Sequence, residues 1–302
     1  MNAIHVACAA RVDYVPHSAA MLHSVLAQHA GGVVEVHYLC GSDLTDRDRA
    51  KLRELVEGGG GRISFLPVDA GRVDGLRTRT FLPASHWYRI FLPELLPDLD
   101  RLIYLDADVI VRRSLSELWS TDLADNHLAA VTNVFQRHEM NRPADLGLPG
   151  PGAYFNSGVM LMNLERLRQD GVASAVLTYA RANHDKLAWP EQDALNVVIG
   201  SRRLPLHPRW NCMNSIVSFP WSVDVFGRAA VAEARRDPAI RHFEGPGANK
   251  PWHYLCDAPM RGLYFEHRRE TPWPDVELEG RTPASAARLR MRRLAGWVRP
   301  TP

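Results

Sequence analysis

The stretch Leu102-Ile-Tyr-Leu-Asp-Ala-Asp-Val-Ile-Val111 places two aspartates inside an otherwise apolar run. Its first residues favour a buried strand, and residues two apart in a strand point to the same side. Asp106 and Asp108 would then lie side by side at the end of this strand, which is costly without a compensating positive charge. A divalent cation supplies that charge, because Mg²⁺ and Mn²⁺ prefer oxygen ligands and commonly join carboxylates to substrate phosphates. The alternative is a strand that ends in a turn, with both aspartates bonded to backbone amides.

The sequence before this stretch alternates between strand and helix patterns. The patterns predict strands at 4–9, 33–39 and 63–66, and helices at 17–28, 45–57 and 85–96. The four glycines at 58–61 favour a flexible turn over a phosphate-binding loop, because a strand follows them and no Lys-Ser/Thr pair does. Such β-α-β alternation predicts a largely parallel sheet with helices on both faces. Ligands of these sheets bind at the carboxyl ends of strands, where Asp106 and Asp108 fall.

The second half of the chain is less regular. It predicts strands at 153–163 and 240–243, and helices at 172–182, 191–199 and 229–236. We find no internal repeat, so we expect one mixed α/β domain followed by a basic tail.

The composition is that of an ordinary globular protein. Of the 302 residues 46% are hydrophobic and 23% charged, and the net charge of +2 gives no argument for a nucleic-acid partner. The four cysteines show no metal-ligand spacing, which favours reduced, buried thiols and a cytoplasmic protein. The first residues do not form a secretory signal, and no apolar run has the length of a membrane-spanning helix.

Several short motifs follow one another in a fixed order. They are Tyr88-Arg89, Tyr104-Leu-Asp-Ala-Asp-Val109, Tyr154-Phe-Asn-Ser-Gly-Val-Met-Leu-Met-Asn-Leu164, Glu191-Gln-Asp-Ala-Leu-Asn196, Leu204-Pro with Arg209-Trp-Asn211, and His242-Phe-Glu-Gly with Lys250-Pro-Trp252. In this order and spacing the chain resembles the family 8 glycosyltransferases, which include glycogenin and the bacterial lipopolysaccharide galactosyl- and glucosyltransferases. The resemblance extends from about residue 4 to residue 254.

The resemblance implies a GT-A type α/β fold, with a single mixed, mostly parallel sheet flanked by helices. It implies a UDP-sugar donor, UDP-galactose or UDP-glucose, and a hexose transferred with retention of its anomeric configuration to a glycan or glycolipid acceptor. We expect residues 1–260 to form the catalytic domain and residues 261–302 a basic extension. Acceptor contacts are expected in the irregular stretches 135–152 and 211–225.

Carried over motif by motif, the resemblance makes Asp106, Asp108 and His242 the metal ligands. An imidazole ligand suits Mn²⁺ better than Mg²⁺, which prefers oxygen alone. Without the resemblance, His242 is one of 13 histidines and would more often be a packed residue.

The donor diphosphate is expected to contact Lys250 and the backbone near Gly245 and Gly247. A surface lysine is the alternative for Lys250. The resemblance assigns the remaining donor contacts to Asp13, Tyr14, Arg89, Asp106 and Ala107. We also expect Arg89 to form an ion pair with Asp106 or a neighbouring acid; an ordinary helix-surface ion pair is the alternative.

The catalytic residues implied by the resemblance are Asn156, Glu191 and Gln192. Asn156 would contact the sugar or the acceptor from a tight turn, although Asn and Gly are common in any turn. Glu191 and Gln192 open a helix after Pro190, where an acid also complements the helix dipole. Because an amide is a poor nucleophile, we expect a front-side, ion-pair-like path rather than a covalent enzyme intermediate.

One position departs from the family pattern. Family members typically carry an acidic residue three positions before the tyrosine at the end of the first strand, and that acid contacts the uracil ring. Here Arg11 occupies the position, so Asp13 would have to substitute for it. The base preference is therefore less firmly predicted than the metal site.

The segment 284–298 combines four arginines with apolar residues at helical spacing. The arginines are Arg288, Arg290, Arg292 and Arg293, and the apolar residues are Ala287, Met291, Leu294 and Val298, with Trp297 nearby. This pattern predicts a helix that binds the inner face of the membrane through anionic lipid. A helix packed on its own domain and a disordered basic end are the alternatives.

Two other functions fit parts of the sequence. A nucleotidyltransferase also combines carboxylates with metal, but it would need a glycine-rich loop after the first strand, and residues 8–13 contain no glycine. A non-catalytic nucleotide-sugar or glycan-binding protein with a decayed site is the other alternative, and Arg11 is the residue that favours it.

Overall fold

The computed structural model describes residues 3–30, 32–78, 83–275 and 277–294. Its strands are short and mostly apolar. They are β1 (Ile4–Ala9), β2 (Val34–Cys40), β3 (Arg62–Pro67), β4 (Arg101–Leu105), β5 (Val109–Val111), β6 (Leu128–Thr132), β7 (Phe155–Asn163), β8 (Arg203–Pro205) and β9 (Ile240–His242).

A seven-stranded sheet in the order β3-β2-β1-β4-β7-β6-β8 forms the centre of the molecule. The strands β3, β2, β1 and β4 are parallel, and β8 is parallel to β6, whereas β7 runs antiparallel to both of its neighbours. The prediction of a mixed, mostly parallel sheet is confirmed.

Helices connect the strands. The α-helices are α1 (Val15–Ala27), α2 (Asp46–Gly58), α3 (Leu92–Leu95), α4 (Ser116–Trp119), α5 (Arg142–Asp145), α6 (Leu164–Gln169), α7 (Val172–Ala182), α8 (Pro190–Ile199), α9 (Asn214–Ser218), α10 (Ser222–Phe226), α11 (Arg228–Arg236), α12 (Arg261–Arg269) and α13 (Pro283–Leu294). The Thr45 hydroxyl caps α2 by accepting from the Asp48 amide at 3.1 Å, as expected for Thr at this position.

The predicted helix at 85–96 is different in the structure. A 3-10 helix covers Ala84–Phe91, and only Leu92–Leu95 is α-helical. Pro93 stands at the start of the α-helical part, where a missing amide proton costs least. The 3-10 segment buries Tyr88 and Arg89 and points the arginine at the end of β4.

Strand β4 is buried on both faces of the sheet. Ile103 and Leu105 belong to the core on the side of α1 and α2, and Leu102 and Tyr104 to the core on the side of α7 and α8. A strand covered on both faces has apolar side chains on both faces, which explains why polar and apolar residues do not alternate along this sequence.

A second, two-stranded sheet was not predicted from the sequence. Strand β5 pairs antiparallel with β9, with Val109 opposite His242 and Val111 opposite Ile240. Asp106 and Asp108 therefore lie in the connection between two sheets rather than within one strand. The apolar run after Asp108 leaves the main sheet to receive β9, and this pairing brings His242 to the aspartates.

The carboxyl-terminal helices lie outside the sheet. Helix α12 packs on α1, where the buried Tyr264 hydroxyl lies 2.7 Å from His17 Nδ1. The predicted domain boundary at residue 260 stays a prediction. Helix α13 exposes Arg288, Arg290 and Met291, and residues 295–298 of the predicted basic helix lie outside the described residues. Nowhere in the described ranges does a helix combine the length and apolar character that crossing a membrane requires.

Candidate active site

A cavity of about 800 Å³ opens at the carboxyl ends of β1 and β4. Every residue predicted from the sequence to act in catalysis, donor binding or metal binding lines it. These residues are Asp13, Tyr14, Arg89, Asp106, Ala107, Asp108, Asn156, Glu191, Gln192, His242, Gly245 and Lys250. The fold brings them together from the segment after β1, from the 3-10 helix at Ala84–Phe91, from the end of β4, from β7, from the start of α8, and from the end of β9 and the segment that follows it.

Asp106, Asp108 and His242 form a group that could hold a metal ion. One ligand atom from each lies within 4.8 Å of the others. Two carboxylates and one imidazole are a donor set that suits Mn²⁺, and it also accommodates Mg²⁺. Asp108 and His242 are buried and Asp106 is partly exposed, so the group faces the cavity.

Asp108 is strongly held in its charged form. Burial by itself raises the pKa of its carboxyl, but the charge of Lys250, together with the contact to His242, outweighs burial and holds the pKa well below its usual range. Its Oδ1 lies 3.2 Å from His242 Nε2, and its other oxygen accepts a hydrogen bond from Lys250. The Lys250 ammonium, predicted to reach a diphosphate, thus contacts a candidate metal ligand in this structure.

Arg89 is buried beneath the metal group, and its predicted ion pair with Asp106 is present. Its Nη2 donates to Asp106 Oδ1 at 2.9 Å, and its Nη1 donates to the Ser157 carbonyl at 2.8 Å. The guanidinium also lies over the ring of Tyr104, 4.3 Å from its centroid. Tyr104 donates its hydroxyl proton to the same Asp106 oxygen at 3.2 Å. Asp106 is therefore oriented by two donors, which leaves its other oxygen for a ligand.

Glu191 lies on the opposite side of Arg89. Its Oε1 lies 3.5 Å from Arg89 Nε, without a hydrogen bond to any group in the described ranges. Burial raises the pKa of Glu191 to about 7, since the charge of Arg89 offsets only part of the desolvation. At neutral pH this carboxyl is thus divided between its two protonation states.

The Gln192 side chain is held by the strand that faces it. Its Oε1 accepts from the Ser157 amide at 2.9 Å, from Asn156 Nδ2 at 3.2 Å and from the Ser157 hydroxyl at 3.3 Å. Its Nε2 donates to the Tyr154 hydroxyl at 3.1 Å. The lone pairs of the amide oxygen are thereby occupied within the protein.

Asn156 was expected in a tight turn, and this is wrong. It lies inside β7, where its Oδ1 accepts from the Gly158 amide at 3.0 Å. Gly158 is required for a different reason: a Cβ atom there would lie 2.5 Å from His242 Cε1 and 2.7 Å from Asp106 Oδ2. The glycine lets the strand pass directly beneath the metal group.

Arg11 and Asp13 form an ion pair at the mouth of the cavity. Arg11 Nε donates to Asp13 Oδ1 at 2.6 Å, and both side chains are about half exposed. The acid at position 13 is thus near the place where the family pattern has one, but it is partly neutralised by the arginine that replaces that acid.

The glycine-rich segment after β9 has the backbone conformations that favour glycine. Gly245 has φ 92° and Gly247 has φ 58°. Both residues line the cavity together with Lys250, so the segment and the lysine face the same space.

Some residues of the site were not given a role from the sequence. Tyr104 and Ser157 contact candidate functional side chains, and both lie within motifs that were noticed, but their contacts depend on the pairing of β4 with β7. Asn211 also belongs to a noticed motif, and it contacts His242. Its position follows from the long connection between β8 and β9, which no local pattern predicts.

The sequence was also compared with known proteins. The sequence model of the family described as Glycosyl transferase family 8 matches residues 5–256. The chain belongs to this family. The match includes each motif and each candidate site residue named above, and it ends before α12.

This family 8 glycosyltransferase is similar along most of its length to known proteins. It is 30% identical over 278 residues to General stress protein A of Bacillus subtilis, a match that covers 90% of this chain and 96% of the relative. It is 27% identical over 229 residues to a lipopolysaccharide 1,2-glucosyltransferase of Escherichia coli K12, covering 74% of this chain and 66% of that one.

Among solved structures, the galactosyltransferase LgtC in complex with donor and acceptor sugar analogs superimposes with a TM-score of 0.79 and 26% identity. The superposition covers 89% of this chain and 96% of LgtC. The predicted GT-A type fold is thereby confirmed.

Proposed function

We propose that this family 8 enzyme transfers a hexose from a UDP-sugar, UDP-galactose or UDP-glucose, to a glycan or glycolipid, with retention of configuration. The observation that carries the proposal is the convergence of Asp106, Asp108 and His242 with Lys250 at one end of the cavity. Two acids, an imidazole and an ammonium suit a metal-bound diphosphate better than a neutral ligand. The names of the glucosyl- and galactosyltransferase relatives support a hexose donor.

Negative charge develops on the diphosphate as the bond to the sugar breaks, and the site is arranged to stabilise it. A bound Mn²⁺ or Mg²⁺ would supply Lewis-acid stabilisation of that leaving group. Lys250 would turn from Asp108 to a phosphate oxygen, and the amides beside Gly245 and Gly247 would face the same group. Asp13, Tyr14 and Ala107 would hold the rest of the nucleotide.

The arrangement around Gln192 supports the front-side path. A covalent intermediate needs a free lone pair beneath the anomeric carbon, but the Gln192 oxygen already accepts from Ser157 and Asn156. Glu191 is screened behind Arg89 and Ser157. We therefore assign to Gln192, Glu191 and Asn156 the positioning of the sugar and the shielding of its developing positive charge. Glycosylated Gln192 or Glu191, trapped and found by mass spectrometry, would contradict this assignment.

The acceptor is proposed to enter between the segments at 135–152 and 211–225. Phe135 and Phe219 line the cavity there, and Trp221 joins the two segments by donating from Nε1 to the Phe135 carbonyl at 2.9 Å. Aromatic side chains with nearby polar groups suit the faces and hydroxyls of a sugar.

We also propose peripheral binding of the membrane through α13, which would bring the enzyme to a lipid-linked acceptor. The exposed Arg288 and Arg290 support this proposal. A cytoplasmic location at the inner face of the membrane stays a prediction.

The test is hydrolysis and binding of nucleotide sugars with Mn²⁺, with Mg²⁺ and with chelator. We expect turnover of one UDP-sugar, and we expect chelation and Asp108→Asn each to lower it at least about 100-fold. Asp125→Asn, which removes a distant exposed carboxylate, is the control and should leave turnover unchanged. Equal hydrolysis with and without metal would refute the metal site, and binding of UDP-sugars without turnover would favour a decayed binding protein.

A further inference from the structure

The two ring nitrogens of His242 face different partners. Nε2 lies 3.2 Å from Asp108 Oδ1 and points to the metal group, whereas Nδ1 lies 2.8 Å from Asn211 Oδ1. An amide oxygen has no proton to give, so Nδ1 must be the donor in this contact. With the proton on Nδ1, the Nε2 lone pair is free for a metal ion.

The surrounding contacts determine which end of the Asn211 amide faces His242. Asn211 Nδ2 lies 2.9 Å from Asn156 Oδ1, and that oxygen also accepts from the Gly158 amide at 3.0 Å. A backbone N–H can only donate, so it fixes the oxygen end of Asn156. Asn211 must then present its NH₂ group to Asn156 and its oxygen to His242.

The other end of the Asn156 amide is fixed in the same way. Its Nδ2 donates to Gln192 Oε1, and that oxygen also accepts from the Ser157 amide at 2.9 Å. Backbone amides of two consecutive residues in β7 thus set the orientation of the whole series of side-chain amides that ends at His242.

We propose that Asn211 is a positioning residue of the metal centre, which holds His242 with its proton on Nδ1 so that Nε2 is presented as a ligand. The inference rests on the metal site of the proposed function, but it assigns a residue that belongs to no ligand set. Asn211 is fully buried and His242 is 2% exposed, so water does not replace this contact. Partners of this kind hold the ring orientation and tautomer of metal-bound histidines.

The same amides join the two halves of the site. Gln192 and Asn156 lie where the sugar is proposed to bind, and His242 where the diphosphate metal is proposed to bind. A change in the orientation of the Asn156 amide would therefore alter the position of Asn211, and with it the contact of Asn211 with His242.

The experiment is a titration of the metal-free full chain with Mn²⁺ alone, followed by the electron paramagnetic resonance signal of free Mn²⁺. Asn211→Leu should weaken Mn²⁺ binding about 10- to 100-fold relative to wild type. Asn211→Asp keeps an oxygen toward Nδ1 but loses the donor to Asn156 Oδ1, so it should bind Mn²⁺ more tightly than Asn211→Leu.

Asn196→Leu is the matched control for a general loss of packing. Asn196 is as buried as Asn211, and its side chain bonds the backbone of Phe155 and Gln192 in the same wall of the cavity, without contact to His242. It should lower the melting temperature and leave Mn²⁺ affinity unchanged. Equal weakening by Asn196→Leu and Asn211→Leu would overturn the proposal in favour of a purely structural role.

Unchanged Mn²⁺ affinity in Asn211→Leu, or weakening by Asn211→Asp as large as that by Asn211→Leu, would also overturn it. If wild type binds Mn²⁺ no better than Asp108→Asn, the metal site itself fails, which is a different result. Should Asn211→Leu not fold, nitrogen NMR of wild type with Mg²⁺ decides: a His242 ring proton on Nδ1 is expected, and one on Nε2 refutes the proposal.

Discussion

At the scale of single residues, Glu191 is a carboxyl that the fold keeps away from water while leaving one oxygen without a hydrogen bond to any described group. Its pKa is raised from 4.5 to about 7, with burial as the largest cause. Between these values the folded state holds the proton more tightly than the unfolded state. The free energy of unfolding therefore falls as the pH rises through this window.

Glu191→Gln should remove this dependence. One pKa unit corresponds to about 1.4 kcal/mol. Between about pH 5 and pH 8, the free energy of unfolding of wild type should therefore fall by about 3 kcal/mol more than that of the variant. Urea unfolding of both metal-free proteins at the two pH values measures the difference. The contributions of titrating groups that both proteins share cancel in this difference. Parallel pH profiles would show that Glu191 is not held protonated by burial.

The candidate site residues could be found from the sequence because they stand in or beside short motifs whose order and spacing resemble those of the family. The contacts among them could not. The pair of Tyr104 with Asp106 and the pair of Asn211 with His242 depend on how distant segments meet. Lys250 illustrates the same point, since its contact with Asp108 joins residues far apart in the chain.

At the scale of elements, the pairing of β7 with β4 fixes the position of β7 beside the metal group. The Gly158 carbonyl accepts from the Asp106 amide at 2.8 Å, and the next residue is paired with Leu105 of β4. The strand thus cannot move away from the aspartates without losing its pairing. This explains a glycine within a long buried strand, where it would otherwise be unfavourable.

Gly158→Ala should displace His242 and Asp106, because the added methyl group would lie closer to both side chains than van der Waals contact allows. We expect Mn²⁺ affinity to fall about 10- to 100-fold, and turnover by about 100-fold or more. Gly58→Ala, at the end of α2 and outside the cavity lining, is the control, since a Cβ atom there meets no atom within 4 Å. Titration with Mn²⁺ and donor hydrolysis are the measurements, and equal values for the two variants would contradict the argument.

Five of the seven strands of the main sheet could be predicted, because they are apolar runs with clear ends. Strands β6 and β8 could not, since β6 contains two alanines and β8 has only three residues. The strand at 240–243 could be predicted, but its pairing with β5 could not, since the three residues of β5 carry no period of their own. The 3-10 conformation of Ala84–Phe91 could not be predicted either, because the spacing of its apolar residues is the same as that of an α-helix. Tertiary contacts of Arg89 hold the segment in this conformation.

At the scale of the whole molecule, charge is distributed unevenly although the net charge is only +2. The segment from residue 281 to residue 294 contains arginines and no acid. Helix α13 is joined to the domain by Arg292, whose Nη1 lies 3.5 Å from Asp257 Oδ2, while Arg288 and Arg290 are exposed. An exposed cationic helix that is fixed to the domain would orient the enzyme on an anionic surface rather than only tether it.

Replacement of both Arg288 and Arg290 by Gln should therefore weaken binding to vesicles that contain anionic lipid. Since each arginine near such a surface contributes about 1 kcal/mol, we expect about a 30-fold loss of affinity at low salt. The double variant Arg47→Gln/Arg228→Gln removes the same charge from exposed sites on α2 and α11. It therefore distinguishes an effect of α13 on lipid binding from an effect of the net charge. Co-sedimentation with vesicles at increasing salt measures the affinity, and turnover on a soluble donor should be the same in all three proteins. Equal binding by both double variants would mean that α13 does not contact lipid, because overall charge alone would then explain the attraction.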